Sequence, residues 1–389
     1  MSLQNFFKFL KKTSVEERGR KPSALSEGLC RQFSLAELKA ATNNFHHDLK
    51  LGQGGYGVVY KGLIDGGSLV VAVKRFSGSK YCRPEGELLC QLRHQNIVSL
   101  LGFCHEKDEG ILVYEYMTRG SLDRYLFGNA DPLPWKRRLE ISIGAARGLH
   151  YLHTAAKHVI IHRDVKPSNI LLDENWDAKL SDFGISKIGP LSISKPKPNA
   201  LTKTKSGIKG TIGYIAPEYL MLSEFSEKLD VYSLGIVLLE VLCGRKLVDP
   251  FAGDEDFIYL IFGIIKCIKN GCVHDIIDPF LKGKIAPVCL IEYVEIALNC
   301  VYLNPNERPS MGEVEATLEL ALELQEKADL VIKADNPHAV YAYEDLSFRV
   351  SVEENSYWQG YRYSEDSDAG SVSDAELVSD GGAVSIAGS

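Results

Sequence analysis

The chain has 389 residues, 45% hydrophobic and 24% charged, the balance of a protein that buries a core rather than of a disordered one. A net charge of −7 argues against a general nucleic-acid binder, which is usually basic. Nine cysteines without a CxxC pair or regular spacing suggest neither a zinc site nor a disulfide framework. Reduced thiols in a cytosolic protein are the simpler reading.

Taken in order, FFKFL at 6–10 is too short for a signal peptide, and Ser2 stands where N-myristoylation needs glycine. Leu3, Phe6, Phe7 and Leu10 fall at helical spacing beside Lys8, Lys11 and Lys12. That pattern suits a peripheral membrane contact or a partner, with a frayed terminus as the plainer alternative. Residues 11–32 are polar and read as linker, making 1–32 a flexible N-terminal extension. FSLAELKAATNNF (33–45) then predicts a helix, with Ser34 as cap and Glu37 completing a capping box.

GVVYKGL (57–63) and SLVVAVKRF (68–76), separated by the turn signal DGG at 65–67, read as β-rich runs, and GILVYEYM (110–117) as another. From about residue 120 the pattern turns helical. In WKRRLEISIGAARGLHYLH (135–153), Leu139, Ile143 and Ala146 share one face. SLGIVLLEVLCG (233–244) and IYLIFGII (258–265) are too short to cross a membrane and read as buried helices, so no transmembrane span is expected. Helical signal resumes at VEATLELALELQEKADLVI (314–332). Residues 329–389 are acidic and read as a largely disordered tail.

LGQGGYGVVYKG (51–62) sets Gly52, Gly54 and Gly57 in GxGxxG spacing, so backbone N–H groups can close over phosphate. A dinucleotide-binding turn would be followed by a helix. Val58, Val59 and Tyr60 predict a strand instead, which favours a lid over phosphates. Lys74 follows Gly57 by seventeen positions, within reach of the same phosphates. In HRDVKPSN (162–169), Asp164 can accept a hydroxyl proton, Lys166 can neutralise charge on a transferring phosphoryl group, and Asn169 offers a hard oxygen to a divalent ion. Asp182 of SDFG (181–184) is a second metal ligand, positioned by Phe183.

The ordered set GxGxxGxV, VAVK, HRDVKPSN, DFG and APE (216–218) resembles the eukaryotic protein kinase catalytic domain over roughly residues 45–325. The resemblance implies an α+β, two-lobed kinase fold with ATP and Mg²⁺, or Mn²⁺ in its place, in the cleft. It implies a kinase domain over 33–328: an N-lobe to about 114, a hinge at about 115–120 and a C-lobe over about 121–328. Leu51, Gly52, Gln53, Gly54, Gly55, Tyr56, Gly57, Val58, Val59, Ala72, Lys74, Glu115, Met117 and Leu171 would surround ATP. Tyr114 would be the gatekeeper, Glu218 would pair with Arg308, and Asp230 would brace the catalytic loop. Leu89, Leu100, His162 and Phe183 would form a hydrophobic stack.

Lys166, together with Thr211 of GTIGYIAPE (210–218), resembles the serine/threonine class. Arg163 calls for an anion, and Thr202, Thr204 and Ser206 are candidate phosphosites on the activation segment. FSLAELKAATNNF, GAARGLHYLH and NILLDENWDAKLSDFGISK resemble plant receptor-like kinases, of the Pto and FERONIA types. A cytoplasmic kinase, with a peripheral place at the plasma membrane as an alternative, acting on protein substrates downstream of a membrane receptor kinase, is implied.

One stretch departs from the family pattern. The acid expected to pair with Lys74 is Glu85, only eleven positions on, with Glu87 as the alternative. Pro84 suits a helix's first turn and Gly86 weakens a helix interior, so Glu85 is expected at the very start of a helix. A shortened connector could hold that helix inward or spoil the pair. A pseudokinase scaffold is the reading from a different class, although Lys74, Asp164, Asn169 and Asp182 are all present. A metabolic small-molecule kinase is disfavoured by the APE motif and its activation segment.

Overall fold

The structure is a computed structural model, and it describes residues 30–156, 158–189, 202–203, 208–222, 224–247, 263–336, 339–343 and 346–349. Its first half is built on a six-stranded sheet: β1 (Arg31–Gln32), β2 (Lys50–Gly54), β3 (Gly57–Ile64), β4 (Leu69–Phe76), β5 (Leu100–Glu106) and β6 (Glu109–Glu115). The strand order is β1-β5-β6-β4-β3-β2, with β1 parallel to β5 and the remaining pairs antiparallel. The end of the predicted linker is therefore part of the sheet. A two-residue polar strand has no periodicity to read, and only its pairing with β5 defines it.

Helix α1 (Leu35–Ala41) starts where its capping box predicts: Glu37 N donates to Ser34 Oγ at 3.1 Å, and Ser34 N donates to Glu37 Oε2 at 2.7 Å. It covers one sheet face, packing Phe33, Leu35 and Leu38 against Val71, Val73, Ile111 and Val113. Burying each such side chain contributes about 1.5–3 kcal/mol. Side chains alternate across a strand, so with Val71 and Val73 turned to α1, Ala72 and Lys74 point to the opposite face. The DGG turn joining β3 and β4 carries positive φ at Asp65, Gly66 and Gly67, which two glycines make inexpensive.

Helix α2 (Ser79–Leu89) corrects the sequence reading. It begins after only Ser77 and Gly78, and Pro84 lies inside it rather than in its first turn. An internal proline costs about 3 kcal/mol, but Cys82, Glu85 and Leu89 fall on one buried stripe while Pro84 faces outward. Burial of that stripe holds the helix through the proline. Gly86 has its own reason: a Cβ there would sit 3.1 Å from Leu112 Cδ2, so its absence lets α2 lie close on β6.

The second half is helical, with α3 (Trp135–His150), α4 (Lys228–Cys243), α5 (Pro287–Cys300) and α6 (Met311–Asp335) as its main members. Leu139, Ile143 and Ala146 are buried on α3 as the spacing predicts. In α4 every residue from Leu229 to Cys243 is buried, and Gly244 ends the helix with φ of +62°. A Cβ on Gly235 would meet Cys300 Cβ at 2.6 Å, so this glycine permits the α4–α5 crossing. Of the predicted helix at 258–265, only its end is described: residues 263–269 are helical, with Ile264 and Ile265 buried.

The expected tail boundary moves. α6 runs to Asp335, opened by a second capping box between Ser310 and Glu313. Beyond it, Tyr341 N donates to Gly283 O at 2.9 Å and Arg349 N to Glu295 Oε1 at 2.7 Å. Tyr341, Tyr343, Leu346 and Phe348 pack against the helical core. Scattered aromatics in a polar stretch lack a period, which is why composition alone reads this segment as tail. Among the described residues, no helix is long and apolar enough to cross a membrane.

Candidate active site

The residues singled out from the sequence gather where the strand-rich and helical halves meet. β4 delivers Lys74, whose Nζ lies 2.8 Å from Glu85 Oε2 on α2 and 2.7 Å from Asp182 Oδ1. Glu87 is turned away and pairs with Arg83 at 2.7 Å. The two-residue connector between β4 and α2 thus holds the helix inward with the pair formed. Burial alone would lower the Lys74 pKa, but the facing carboxylates outweigh it and hold the ammonium above the ordinary lysine value. Burial likewise works to raise Asp182, and Lys74 more than offsets it, leaving that carboxyl below its usual range.

Glu85 is only 1% exposed, and its second oxygen is also taken: Tyr114 donates its hydroxyl to Glu85 Oε1 at 2.7 Å. Burial and the neighbouring Glu85 push the Tyr114 phenol well above its ordinary pKa, so it remains a donor. This contact was not legible in the sequence, where the two residues stand 29 positions apart.

A second cluster surrounds Asp164. Its Oδ1 accepts from Thr211 Oγ1 at 2.7 Å, and its Oδ2 accepts from Asn169 Nδ2 at 2.9 Å. Lys166 Nζ donates to Thr211 Oγ1 at 2.7 Å and lies 3.2 Å from Asp164 Oδ2. Asn169 also gives its amide to the Asp164 carbonyl at 2.8 Å. With its amide N–H groups committed, its carbonyl oxygen is the atom left to offer to a cation. Asp182 commits Oδ1 to Lys74, keeps 38% of its side-chain surface open, and holds a left-handed φ of 61°. The two clusters are stitched by Ser181, whose N–H donates to Asn169 O at 2.9 Å. Two hard oxygens on adjoining segments fit a divalent cation.

The loop carrying Asp164 is held from beneath. Asp230, fully buried on α4, accepts from the His162 and Arg163 backbone N–H groups, each at 2.8 Å, and contacts His153 Nε2 at 2.9 Å. The His162 ring lies edge-on to Phe183 at 4.8 Å between centroids, and both are buried with Leu89 and Leu100. Arg308 grips Glu218 with two bonds of 2.7 Å, a buried bidentate pair.

The lid is the β2–β3 hairpin, with Gly54 opposite Gly57. A Cβ on Gly57 would meet Arg75 O at 2.2 Å, so β4 itself demands that glycine. Gly52 and Gly54 face nothing within 4 Å, leaving room above the strands. The lid tip reaches the lysine cluster: a Cβ on Gly184 would lie 3.5 Å from Asp182 Oδ1 and from Glu85 Oε2, and 3.7 Å from Tyr56 Cδ2. Leu51 is exposed, Gln53 pairs with Val58, and Gly55 sits at the turn. Val59 pairs with Lys74, and Ala72 pairs with Tyr114. Met117 is buried, and Leu171 lies in the three-stranded sheet formed with 120–121 and 178–180.

The family described as the protein kinase domain matches residues 45–317. The chain belongs to the protein kinase family. Receptor-like protein kinase FERONIA of Arabidopsis thaliana is 50% identical over 317 residues, covering 80% of this chain and 34% of the relative. Receptor-like protein kinase ANXUR2 of the same plant is 50% identical over 313 residues, covering 79% and 35%. Receptor-like protein kinase THESEUS 1, also from Arabidopsis thaliana, is 45% identical over 320 residues, covering 81% and 36%. The chain spans about a third of the length of these curated relatives.

In this kinase domain Arg163 is buried, with φ of 72°, and its Nε has no hydrogen-bond partner. Its other nitrogens reach Ile185 O at 3.1 Å and the Tyr219 hydroxyl. Burial lowers the nearby Lys187, and the charges of Arg163 and Lys209 lower it further. Three cations therefore crowd one place. Of the candidate phosphosites, Thr202 lies in a two-residue strand opposite Phe225, while Thr204 and Ser206 fall outside the described residues.

Proposed function

We propose that the chain transfers the γ-phosphoryl group of ATP to serine or threonine hydroxyls of proteins. The observation that carries this reading is the Asp164–Lys166–Thr211 triangle, closed by bonds of 2.7 Å and a 3.2 Å ion pair, beside an assembled Lys74–Glu85–Asp182 cluster. Asp164 accepts the proton as the substrate oxygen attacks the γ-phosphorus and the bond to ADP breaks. Lys166 stabilises the charge that develops on the transferred group. Lys74, fixed by Glu85, grips the α- and β-phosphates beneath the Gly52–Gly57 lid. Glu115 and Met117 present backbone groups to adenine, with Leu51, Val59, Ala72 and Leu171 around it.

Asn169 and Asp182 would hold Mg²⁺, or Mn²⁺ in its place. Bound there, the ion neutralises phosphate charge in the transition state. Lys166 bonded to Thr211 supports serine/threonine specificity, because both are occupied in shaping the substrate platform after the activation segment. A phosphate on Thr202, Thr204 or Ser206 would complete the Arg163, Lys187 and Lys209 cluster through charge-assisted bonds. Similarity to receptor-like kinases supports a protein substrate and an upstream membrane receptor kinase as partner.

Phosphoamino-acid analysis of a general protein substrate, incubated with the chain, ATP and Mg²⁺, tests the specificity. Phosphoserine and phosphothreonine are expected. Phosphotyrosine alone would overturn the assignment, and ATP binding without transfer would leave a scaffold.

A further inference from the structure

Cys30 and Cys90 stand sixty positions apart in sequence, yet the fold brings their Sγ atoms to 3.1 Å. Cys30 immediately precedes β1, which is anchored by its pairing with β5 and by Phe33 N donating to Phe103 O at 2.9 Å. Cys90 caps the C-terminus of α2, its N–H donating to Gly86 O at 3.0 Å. The pair therefore joins the entry strand of the sheet to the helix that carries Glu85.

The two thiols are chemically unequal. The hydrogen bond from Cys90 and, against the opposing effect of burial, the Arg93 guanidinium lower Cys30 to about 6. The same hydrogen bond and burial push Cys90 up. A thiolate beside a protonated thiol is the arrangement of an attacking and a resolving cysteine. By contrast, burial and the contact with Cys272 raise Cys267 to about 11.

We propose that Cys30 and Cys90 form a reversible, peroxide-driven disulfide that staples the N-terminal strand to helix α2. The Cys30 thiolate attacks one oxygen of hydrogen peroxide, the O–O bond breaks, and hydroxide leaves a sulfenic acid. The Cys90 sulfur then attacks that sulfur, the S–O bond breaks, and the departing hydroxide takes the Cys90 proton. The first hydroxide takes up the proton that Cys30 released on ionising, so in total two thiols lose two electrons and two protons, and one peroxide becomes two waters. The sulfurs need to close by about 1 Å to reach the disulfide length of about 2.05 Å. The bond would fix the helix end next to Leu89, which packs in the same core as Leu100 and Phe183. Only its consequence for the Lys74–Glu85 pair rests on the proposed kinase function; the bond itself does not.

The test uses the full chain, treated with limiting hydrogen peroxide, alkylated and digested without reductant. A Cys30–Cys90 cross-linked peptide, two hydrogens lighter than the sum of its parts and lost with dithiothreitol, is expected. Oxidation should also raise the thermal midpoint by about 5 °C or more, as closing a long loop predicts, in wild type but in neither Cys30→Ser nor Cys90→Ser. Cys90 that remains alkylatable, or Cys30 driven to sulfinic acid without a link, would overturn the site. A link without a thermal shift would overturn the staple. Both readouts are independent of phosphoryl transfer, so an inactive enzyme does not obscure them.

Discussion

Replacing Tyr114 with phenylalanine removes one oxygen and keeps the ring, isolating the contact that holds the outer oxygen of Glu85. The hydroxyl donates at 2.7 Å to a carboxylate that is 1% exposed, so water cannot take its place. Leaving a buried acceptor without its donor costs about 1–3 kcal/mol. At about 1.36 kcal/mol per tenfold, a middle value of about 2 kcal/mol corresponds to roughly 30-fold in any step that needs Glu85 in place. In a chain of this size the same loss should lower the melting temperature by about 3 °C. Urea denaturation of wild type, Tyr114→Phe, Glu85→Ala and the double variant would close a double-mutant cycle, with a coupling of about 1 kcal/mol or more expected. A cost below about 0.5 kcal/mol in Tyr114→Phe, or one that is undiminished in the Glu85→Ala background, would refute the argument.

Three further outcomes follow from particular groups. Burial pushes Glu240 up to about 7, against the hydrogen bonds it accepts from Leu247 N–H and the Tyr214 hydroxyl. The native state thus binds a proton that the unfolded chain has already released. Stability contributed by the neutral acid is full below about 4.5 and is lost as pH rises to about 7, a difference of about 3 kcal/mol. Glu240→Gln should flatten that slope in denaturation curves measured from pH 5 to 8; an unchanged slope contradicts the assignment. Gly57→Ala should destabilise the protein, because its Cβ meets Arg75 O at 2.2 Å. Gly52→Ala should leave the melting temperature within about 2 °C while weakening nucleotide binding several-fold by titration; equal effects on both quantities would contradict the lid geometry.

How far the fold could be read in advance differs by element. The capping box at Ser34 and Glu37, the DGG turn and the buried stripe of α3 are local signals, and each stands where the sequence placed it. The clustering of Asp164, Lys166 and Asn169 was equally legible, because they are neighbours in sequence. Helix α2 was misplaced because proline propensity is local, whereas the burial of Cys82, Glu85 and Leu89 that overrides it is tertiary. The strand at Arg31–Gln32 and the docking of Tyr341 and Tyr343 depend on partners about 70 and 60 residues away. No window of the sequence contains both halves of such a contact. The Tyr114–Glu85 bond and the Cys30–Cys90 approach escaped for the same reason.

Phosphate incorporation into phosphatase-treated protein, with Mg²⁺ and ATP, compared between wild type and Asp164→Asn, addresses the central claim most directly. Wild type should gain phosphate on serine or threonine by mass spectrometry, with Thr202, Thr204 and Ser206 as the first sites to inspect. Asp164→Asn should bind ATP comparably and gain essentially none, because the amide cannot accept the substrate proton. Equal incorporation by the two proteins would contradict the role given to Asp164, and none by either would contradict phosphoryl transfer itself.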